Sequence, residues 1–84
     1  MASAKDYIIF GAKDCEFCDD AKILLETLGF DYTFVLLSDD YKQEVKRFYD
    51  WSTVPIVLSR ELETGLVKFI GGFSDLEAFL SEQN

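Results

Sequence analysis

Cys15-Glu16-Phe17-Cys18 contains the only two cysteines of the 84-residue chain, and it follows the apolar run Tyr7-Ile8-Ile9-Phe10. An apolar run, a short turn and an amphipathic stretch predict a strand, a loop and a helix that begins at the first cysteine. A thiol there lies beside unpaired backbone N–H groups and at the positive end of the helix dipole. Both stabilise the thiolate, which is the form that attacks disulfides. Cys18 lies about one helical turn further on, so its sulfur can reach that of Cys15.

Three other interpretations of the cysteine pair are weaker. A structural disulfide would close a loop of only a few residues, and short loops give the least stabilisation. A zinc site needs about four Cys or His ligands, whereas the chain has two cysteines and no histidine. Buried, inert cysteines are common, but less so as a pair ahead of a helix. The sequence favours redox chemistry and predicts no metal site, with metal binding and inert packing left as alternatives.

The composition fits one small domain over residues 1–84. The hydrophobic fraction of 49% is a generous core inventory, so the chain can fold without a structural staple. Sixteen acidic and eight basic residues give a net charge of −8, which disfavours nucleic acid and anionic membranes as partners. The excess negative charge serves either solubility or the steering of a partner.

Targeting signals are not evident in the sequence. Residues 1–6 include no apolar stretch like that of a signal peptide, and no run approaches the ~20 apolar residues of a membrane span. In a cytosolic protein, a lone C-x-x-C is more often used for chemistry than for bracing. We therefore expect a cytoplasmic protein without membrane association, acting as a monomer.

The first half of the chain predicts three elements. Residues 7–10 suit a buried strand. Residues 16–28 carry apolar side chains at three- and four-residue steps and end at Gly29, which predicts a helix. Residues 31–37 are rich in β formers and predict a second strand.

A second helix is predicted next, capped by Asp39 or Asp40. Its apolar face would consist of Tyr41, Val45 and Phe48.

The last third predicts a hairpin and a helix. Pro55 opens the third strand, where a missing N–H is tolerated. Residues 60–65 suit a hairpin loop and residues 66–70 the returning strand. Ser74 and Glu77 then form a capping-box pattern at a helix start. The order β-α-β-α-β-β-α predicts a mixed four-stranded sheet with helices on its faces.

Three segments together resemble the dithiol glutaredoxins in order and spacing. They are Cys15-Glu16-Phe17-Cys18-Asp19-Asp20-Ala21-Lys22, Thr53-Val54-Pro55 and Ile70-Gly71-Gly72-Phe73-Ser74-Asp75-Leu76. Size and element order match over nearly the whole chain, and the short length and Gly-Gly-Phe ending look most like bacteriophage glutaredoxins. The resemblance implies a thioredoxin-like, three-layer α/β/α fold. It also implies a cis peptide bond before Pro55.

The resemblance implies Cys15 as the nucleophile and Cys18 as the resolving cysteine. It further implies glutathione as the electron-donating cosubstrate, and protein disulfides and glutathione mixed disulfides as substrates. Ribonucleotide reductase would be a possible client, in the host cytoplasm if the protein is of phage origin. The implied glutathione-binding residues are Lys13, Phe17, Val54, Pro55, Gly72, Ser74 and Asp75.

Four of those residues, Lys13, Phe17, Gly72 and Ser74, also have an ordinary structural interpretation. The start of the last helix, at Ser74, can bind an anion through backbone N–H groups, and Asp75 can bind an ammonium group. Gly71-Gly72 removes Cβ atoms that would block a close approach. However, Gly71-Gly72 also suits a plain turn and Ser74 an N-cap, while Phe17 could belong to the core. Lys13 could simply be solvated.

The chain departs from the family pattern around the cysteines. The usual Pro-Tyr between them is Glu16-Phe17, and Trp51-Ser52 stand where a basic residue is frequent. Acidic residues surround the pair, namely Asp14, Glu16, Asp19 and Asp20. We expect these charges to weaken the binding of anionic glutathione.

Two functional alternatives follow from the same motif. One is a thioredoxin- or redoxin-type protein reduced by a flavoprotein reductase. The other is an iron–sulfur carrier, in which two chains and two glutathiones hold one cluster through thiolates.

Overall fold

The computed structural model describes residues 5–82 and has the predicted element order, β-α-β-α-β-β-α. The elements are β1 (Lys5–Gly11), α1 (Glu16–Thr27), β2 (Tyr32–Leu36), α2 (Asp39–Tyr49), β3 (Ile56–Glu61), β4 (Val67–Gly71) and α3 (Phe73–Glu82). Residues 1–6 were expected to include no signal peptide, and the first four of them lie outside the described residues. Between residues 5 and 82, none of the helices has the length and apolar character that a membrane span requires.

One mixed sheet, in the strand order β2-β1-β3-β4, organises these elements. β1 is parallel to β2 and antiparallel to β3, and β3 is antiparallel to β4. Phe10 pairs with Ile56, and Val57 pairs with Gly71. The end of β1, the start of β3 and the end of β4 therefore lie at the same edge of the sheet.

The main core lies between one face of the sheet and the helices α1 and α3. Its side chains are at most 5% exposed and are Tyr7, Ile9, Ala21, Leu25, Val57, Leu76 and Leu80. Alternate residues of β1 contribute to it because successive strand side chains point to opposite faces. Burial of each large apolar side chain stabilises the fold by ~1.5–3 kcal/mol. Burial also raises the pKa of Tyr7.

Aromatic contacts join the opposite face of the sheet to the end of α2. The ring of Tyr49 lies 6.3 Å from that of Phe10 and stacks on that of Phe69 at 5.6 Å. Trp51 packs edge-on against Phe69 at 5.3 Å. The sheet thus lies between two helical layers, as the three-layer prediction requires.

Two details of the α2 prediction are wrong. Tyr41 and Phe48 are 68% and 80% exposed, because Tyr49, one position beyond Phe48, makes the contact with the sheet instead. The N-cap is Ser38, whose hydroxyl accepts the Tyr41 N–H at 3.4 Å, so Asp39 already belongs to the helix.

Sequence analysis did not predict an ion pair between the start of β1 and the end of β3. Asp6 and Arg60 are paired across the two strands, and the guanidinium donates to both carboxylate oxygens at 2.9 and 2.6 Å. The hydrogen bonds to Asp6 raise the pKa of Arg60. Asp6 is only 9% exposed, and both of its carboxylate oxygens are hydrogen-bonded by this partner.

We expect Asp6→Asn to lower the midpoint of thermal unfolding by a few degrees, because it breaks the two-bond ion pair between a nearly buried carboxylate and the partly exposed Arg60. Circular dichroism melting measures the shift. Glu44→Gln is the matched control, since Glu44 pairs with Arg47 at 3.1 Å on the surface, where such pairs contribute little. Equal shifts in the two variants would contradict the structural role of Asp6.

Candidate functional site

Cys15 is the N-cap residue of α1, as the sequence predicts. Its backbone is extended (φ −109°, ψ 105°), and its Sγ accepts the Cys18 N–H at 3.1 Å. The hydrogen bond and the helix dipole both favour negative charge on this sulfur. Cys15 and Cys18 form a disulfide with their Cα atoms 5.2 Å apart.

The two sulfurs differ in their exposure. Cys15 is half-buried, whereas Cys18 is 1% exposed. A Cβ added to Gly11, at the end of β1, would lie 2.8 Å from the Cys18 Sγ. Glycine at this position therefore leaves room for the inner sulfur, and an incoming substrate meets Cys15 first.

The loop before β3 lies beside the outer sulfur. The Val54–Pro55 peptide bond is cis, which confirms that prediction. The carbonyl oxygen of Val54 is 3.9 Å from the Cys15 Sγ. A backbone acceptor is thus within contact distance of the reacting atom.

The start of α3 differs from the predicted capping box. α3 begins at Phe73, so Gly72, and not Ser74, precedes the first helical residue. The Gly72 N–H donates to the Asp75 Oδ2 at 3.0 Å, and the Leu76 N–H donates to the Gly72 oxygen at 2.9 Å. The Asp75 carboxylate performs the capping that was expected of Ser74 and Glu77. Ser74 lies exposed in the first turn.

Gly71 permits this arrangement. Its φ of +128° is unfavourable for other residues, and an added Cβ would lie 2.6 Å from the Asp75 Oδ2. Gly71 is therefore required by the backbone, whereas a Cβ added to Gly72 would come no closer than 3.8 Å to its neighbours.

A groove of about 320 Å³ runs between α1, the loop before β3 and the start of α3. Its lining residues are Phe17, Thr53, Val54, Pro55, Gly72, Phe73, Ser74 and Asp75. Six of the seven predicted glutathione-binding residues therefore meet at one place. The volume is at the lower end of the ~300–1,000 Å³ typical of small-ligand pockets.

Two groove residues, Thr53 and Phe73, were not predicted as ligand contacts. Both belong to the segments that carry the family resemblance, which was the available signal. The ring of Phe73 stacks on that of Phe17 at 6.1 Å. Phe17 is 57% exposed, so the alternative that it belongs to the core is wrong.

Lys13 is the predicted residue that does not line the groove. It lines a different cavity, of about 490 Å³, between the β1–α1 loop and the start of α2. A third cavity, of about 620 Å³, lies at the end of α2 and is lined by Gln43, Lys46, Arg47, Asp50, Trp51 and Ser52. Within residues 5–82, the Trp51 Nε1 is the only buried side-chain nitrogen or oxygen without a hydrogen-bond partner.

The acidic residues near Cys15 differ in whether a basic residue pairs with them. Asp19 lies 3.5 Å from the Lys22 Nζ, which also lies 4.3 Å from the centre of the Phe34 ring. Across residues 5–82, no ion pair involves Asp14, Glu16 or Asp20. These carboxylates oppose the effect of the helix start on the sulfur.

We expect the helix start to lower the pKa of reduced Cys15 below that of a free thiol, and the nearby carboxylates to limit this shift. A helix start contributes up to ~2 kcal/mol, whereas exposed carboxylates act through water and are screened within ~8 Å at physiological salt. Glu16→Gln with Asp20→Asn should lower this pKa, most clearly at low salt. Thiolate absorbance at different pH values measures it. Coincident titrations of variant and wild type at low salt would show that these charges do not act on the sulfur.

Metal ligation finds no further support in residues 5–82, where no group of three or more His, Cys, Asp or Glu side chains is placed to hold an ion.

Comparisons with known proteins agree with the geometry. The glutaredoxin family model matches residues 7–61. The fold is similar to that of glutaredoxin 1 from Francisella tularensis, solved with cacodylate, with a TM-score of 0.69, 23% identity, and coverage of 94% of this chain and 95% of that one. A thioredoxin-fold protein from Helicobacter pylori aligns with a TM-score of 0.48 and 16% identity, over 83% of this chain and 58% of that one. No curated protein matches the sequence significantly.

The family match spans more than half of the chain and includes Cys15, Cys18 and the Val54–Pro55 turn. The fold, the cysteine pair at the start of α1 and this match agree: the chain belongs to the glutaredoxin family, whose general activity is thiol–disulfide exchange.

Proposed function

We propose that the protein is a dithiol oxidoreductase that uses glutathione to reduce protein disulfides and glutathione mixed disulfides. The observation that carries the proposal is the groove beside Cys15, which joins three separate sequence motifs at one reactive sulfur. The inner position of Cys18 supports a division of labour between the two thiols.

The reaction proceeds by two exchanges at sulfur. The Cys15 thiolate attacks a substrate disulfide, forms a mixed disulfide and releases one substrate thiolate. The Cys18 thiolate then attacks the Cys15 sulfur, releases the second substrate thiolate and leaves the Cys15–Cys18 disulfide. Two glutathiones then reduce the Cys15–Cys18 disulfide: the first forms a mixed disulfide with Cys15 and releases the Cys18 thiolate, and the second releases the Cys15 thiolate and leaves as glutathione disulfide. Two electrons thus pass from glutathione through the protein to the substrate.

The groove offers complementary groups for a glutathionyl moiety. The backbone of Val54 would pair with the extended tripeptide, and the stacked rings of Phe17 and Phe73 would flank it. The first turn of α3, at Ser74, presents backbone N–H groups to a carboxylate. Asp75 keeps its second oxygen available for the ammonium of the γ-glutamyl end, beside the small Gly72. Lys13 would reach the glycine carboxylate only by extending from its own cavity toward the groove.

A coupled assay tests this proposal. Reduction of hydroxyethyl disulfide is followed with glutathione and glutathione reductase as the electron source, and in parallel with thioredoxin reductase. We expect turnover with glutathione and its loss in Cys15→Ser. Turnover with thioredoxin reductase but not with glutathione would favour the thioredoxin-type alternative. Visible absorbance bands of an iron–sulfur cluster in the purified protein would favour the carrier.

The proposal extends to the setting of the reaction. We expect a monomer that acts in the cytoplasm, of the host if the bacteriophage resemblance reflects its origin. Ribonucleotide reductase is the proposed client, because the family that the chain resembles recurrently serves it. Turnover of the reductase with this protein and glutathione as the only reductants tests this assignment.

A further inference from the structure

We propose that the groove beside Cys15 selects disulfides that carry positive charge next to the reacting sulfurs. The inference rests on the proposed function, since it names the class of substrate that the same site prefers. Three observations support it. The groove has an apolar surface, four carboxylates without ion-pair partners surround it (Asp14, Glu16, Asp20 and Asp75, here called the rim), and the nearby lysines do not line it.

The apolar part of the groove is a contact surface for another molecule. Phe17 is 57% exposed and stacks on the ring of Phe73 beside the outer sulfur. Val54 and Pro55 form the opposite wall. Together these side chains form one contiguous apolar surface, which is the kind of surface that marks a binding site.

Carboxylates surround this surface. Asp75 lines the groove, and exposed Asp14 and Glu16 flank Cys15 on either side along the chain. Asp20 follows Phe17 by three residues on α1, which places the two side chains on one face of the helix. Across residues 5–82, none of these four carboxylates takes part in an ion pair.

The basic residues near the cysteines do not line the groove. Lys22 pairs with Asp19 and lies over the Phe34 ring on the β2 side of α1. Lys13 lines a separate cavity. Among the described residues that line the groove, none is a lysine or an arginine. A substrate in the groove therefore meets net negative charge.

This field favours cationic substrates and repels anionic ones. Each single charge acts weakly through water, but several rim carboxylates act together. We expect a preference of roughly tenfold for a cationic over an anionic disulfide at low salt. The exchange itself is the one described above, with two thiolates released and the Cys15–Cys18 disulfide formed.

Three small disulfides separate charge from other properties. They are cystamine, which is cationic, hydroxyethyl disulfide, which is neutral, and dithiodipropionate, which is anionic. Reduced protein is mixed with each disulfide, and the rate of a single turnover is measured. This rate is divided by the rate at which dithiothreitol reduces the same disulfide, which corrects for the different leaving-group reactivities of the three compounds. Measurements at about 10 mM and about 1 M salt compare screening lengths of ~30 Å and ~3 Å.

Two double variants test whether the rim carboxylates cause the preference for cationic disulfides. Glu16→Gln with Asp20→Asn removes two rim charges, and any change that it causes in the Cys15 pKa affects all three disulfides alike. Glu63→Gln with Glu82→Gln makes the same change in net charge at the hairpin loop and the end of α3, which lie at the opposite end of the sheet.

We expect the normalised rate with cystamine to be about ten times that with dithiodipropionate at low salt, both in the wild type and in the distal variant, Glu63→Gln with Glu82→Gln. This ratio should fall severalfold in the rim variant and approach one at high salt. A ratio near one in the wild type at low salt, or a ratio that the rim variant leaves unchanged, would overturn the inference while disulfide reduction stands. If none of the three disulfides is reduced, the proposed function itself fails.

Discussion

Cys15→Ser is expected to abolish the reduction of every disulfide, whereas Cys18→Ser is expected to keep the reduction of glutathione mixed disulfides. Cys15 caps α1, accepts the Cys18 N–H at 3.1 Å and is the more exposed sulfur. Without it, the accessible thiolate is lost. Cys18 is 1% exposed, and its proposed task is to release a bound protein client, which a monothiol exchange with glutathione does not need.

The measurement compares two substrates in the glutathione-coupled assay. A glutathionylated peptide reports the one-thiol reaction, and insulin, whose disulfides require a resolving thiol, reports the two-thiol reaction. Cys18→Ser should retain the first and lose at least tenfold in the second. The double serine variant, folded but without thiols, gives the background. Equal residual activity in the two single variants would overturn the assignment of roles.

Gly11→Ala is expected to have the next largest effect, on both stability and the inner thiol. The added Cβ would lie 2.7 Å from the Phe34 Cε1 and 2.8 Å from the Cys18 Sγ. Such overpacking costs ~1–3 kcal/mol of unfolding free energy. Because one of the displaced atoms is the resolving sulfur, we also expect the Cys15–Cys18 disulfide to form less readily.

Urea unfolding and redox titration against glutathione measure the two effects. Gly65→Ala is the control: Gly65 has a φ of +76° in the β3–β4 hairpin, and no atom lies within 4 Å of an added Cβ. It should lower stability modestly and leave the redox equilibrium unchanged. If Gly11→Ala also leaves that equilibrium unchanged, Gly11 affects only packing against Phe34.

The local pattern of the sequence was sufficient to predict the element order and the position of Cys15 at the start of α1. The apolar run of β1 predicts a strand and the helical spacing after Cys15 predicts a helix, and the structure confirms both. The contacts that align Phe17, Val54 and Ser74 in one groove depend on the sheet order, which the residues alone did not specify. The resemblance to a known family supplied that information.

The errors occurred where local sequence leaves several options. Phe48 and Tyr49 are neighbours on α2, and only the position of the sheet decides which one packs. Ser38, Asp39 and Asp40 are all good helix caps. Asp6 and Arg60 pair across strands over a sequence separation of 54 residues, for which spacing gives no signal. At α3, the Asp75 carboxylate took the capping role because the helix starts one residue before Ser74.

The most direct test of the central claim, that Cys15 is the attacking thiol of a glutathione-linked exchange, is mass spectrometry of the single variants after incubation with glutathione disulfide. Cys18→Ser should gain one glutathionyl group, mapped to Cys15, at a rate that rises with pH until the Cys15 pKa is passed. Cys15→Ser, with its buried Cys18, should gain it far more slowly. Absence of the adduct on Cys15, or faster modification of Cys18, would contradict the account.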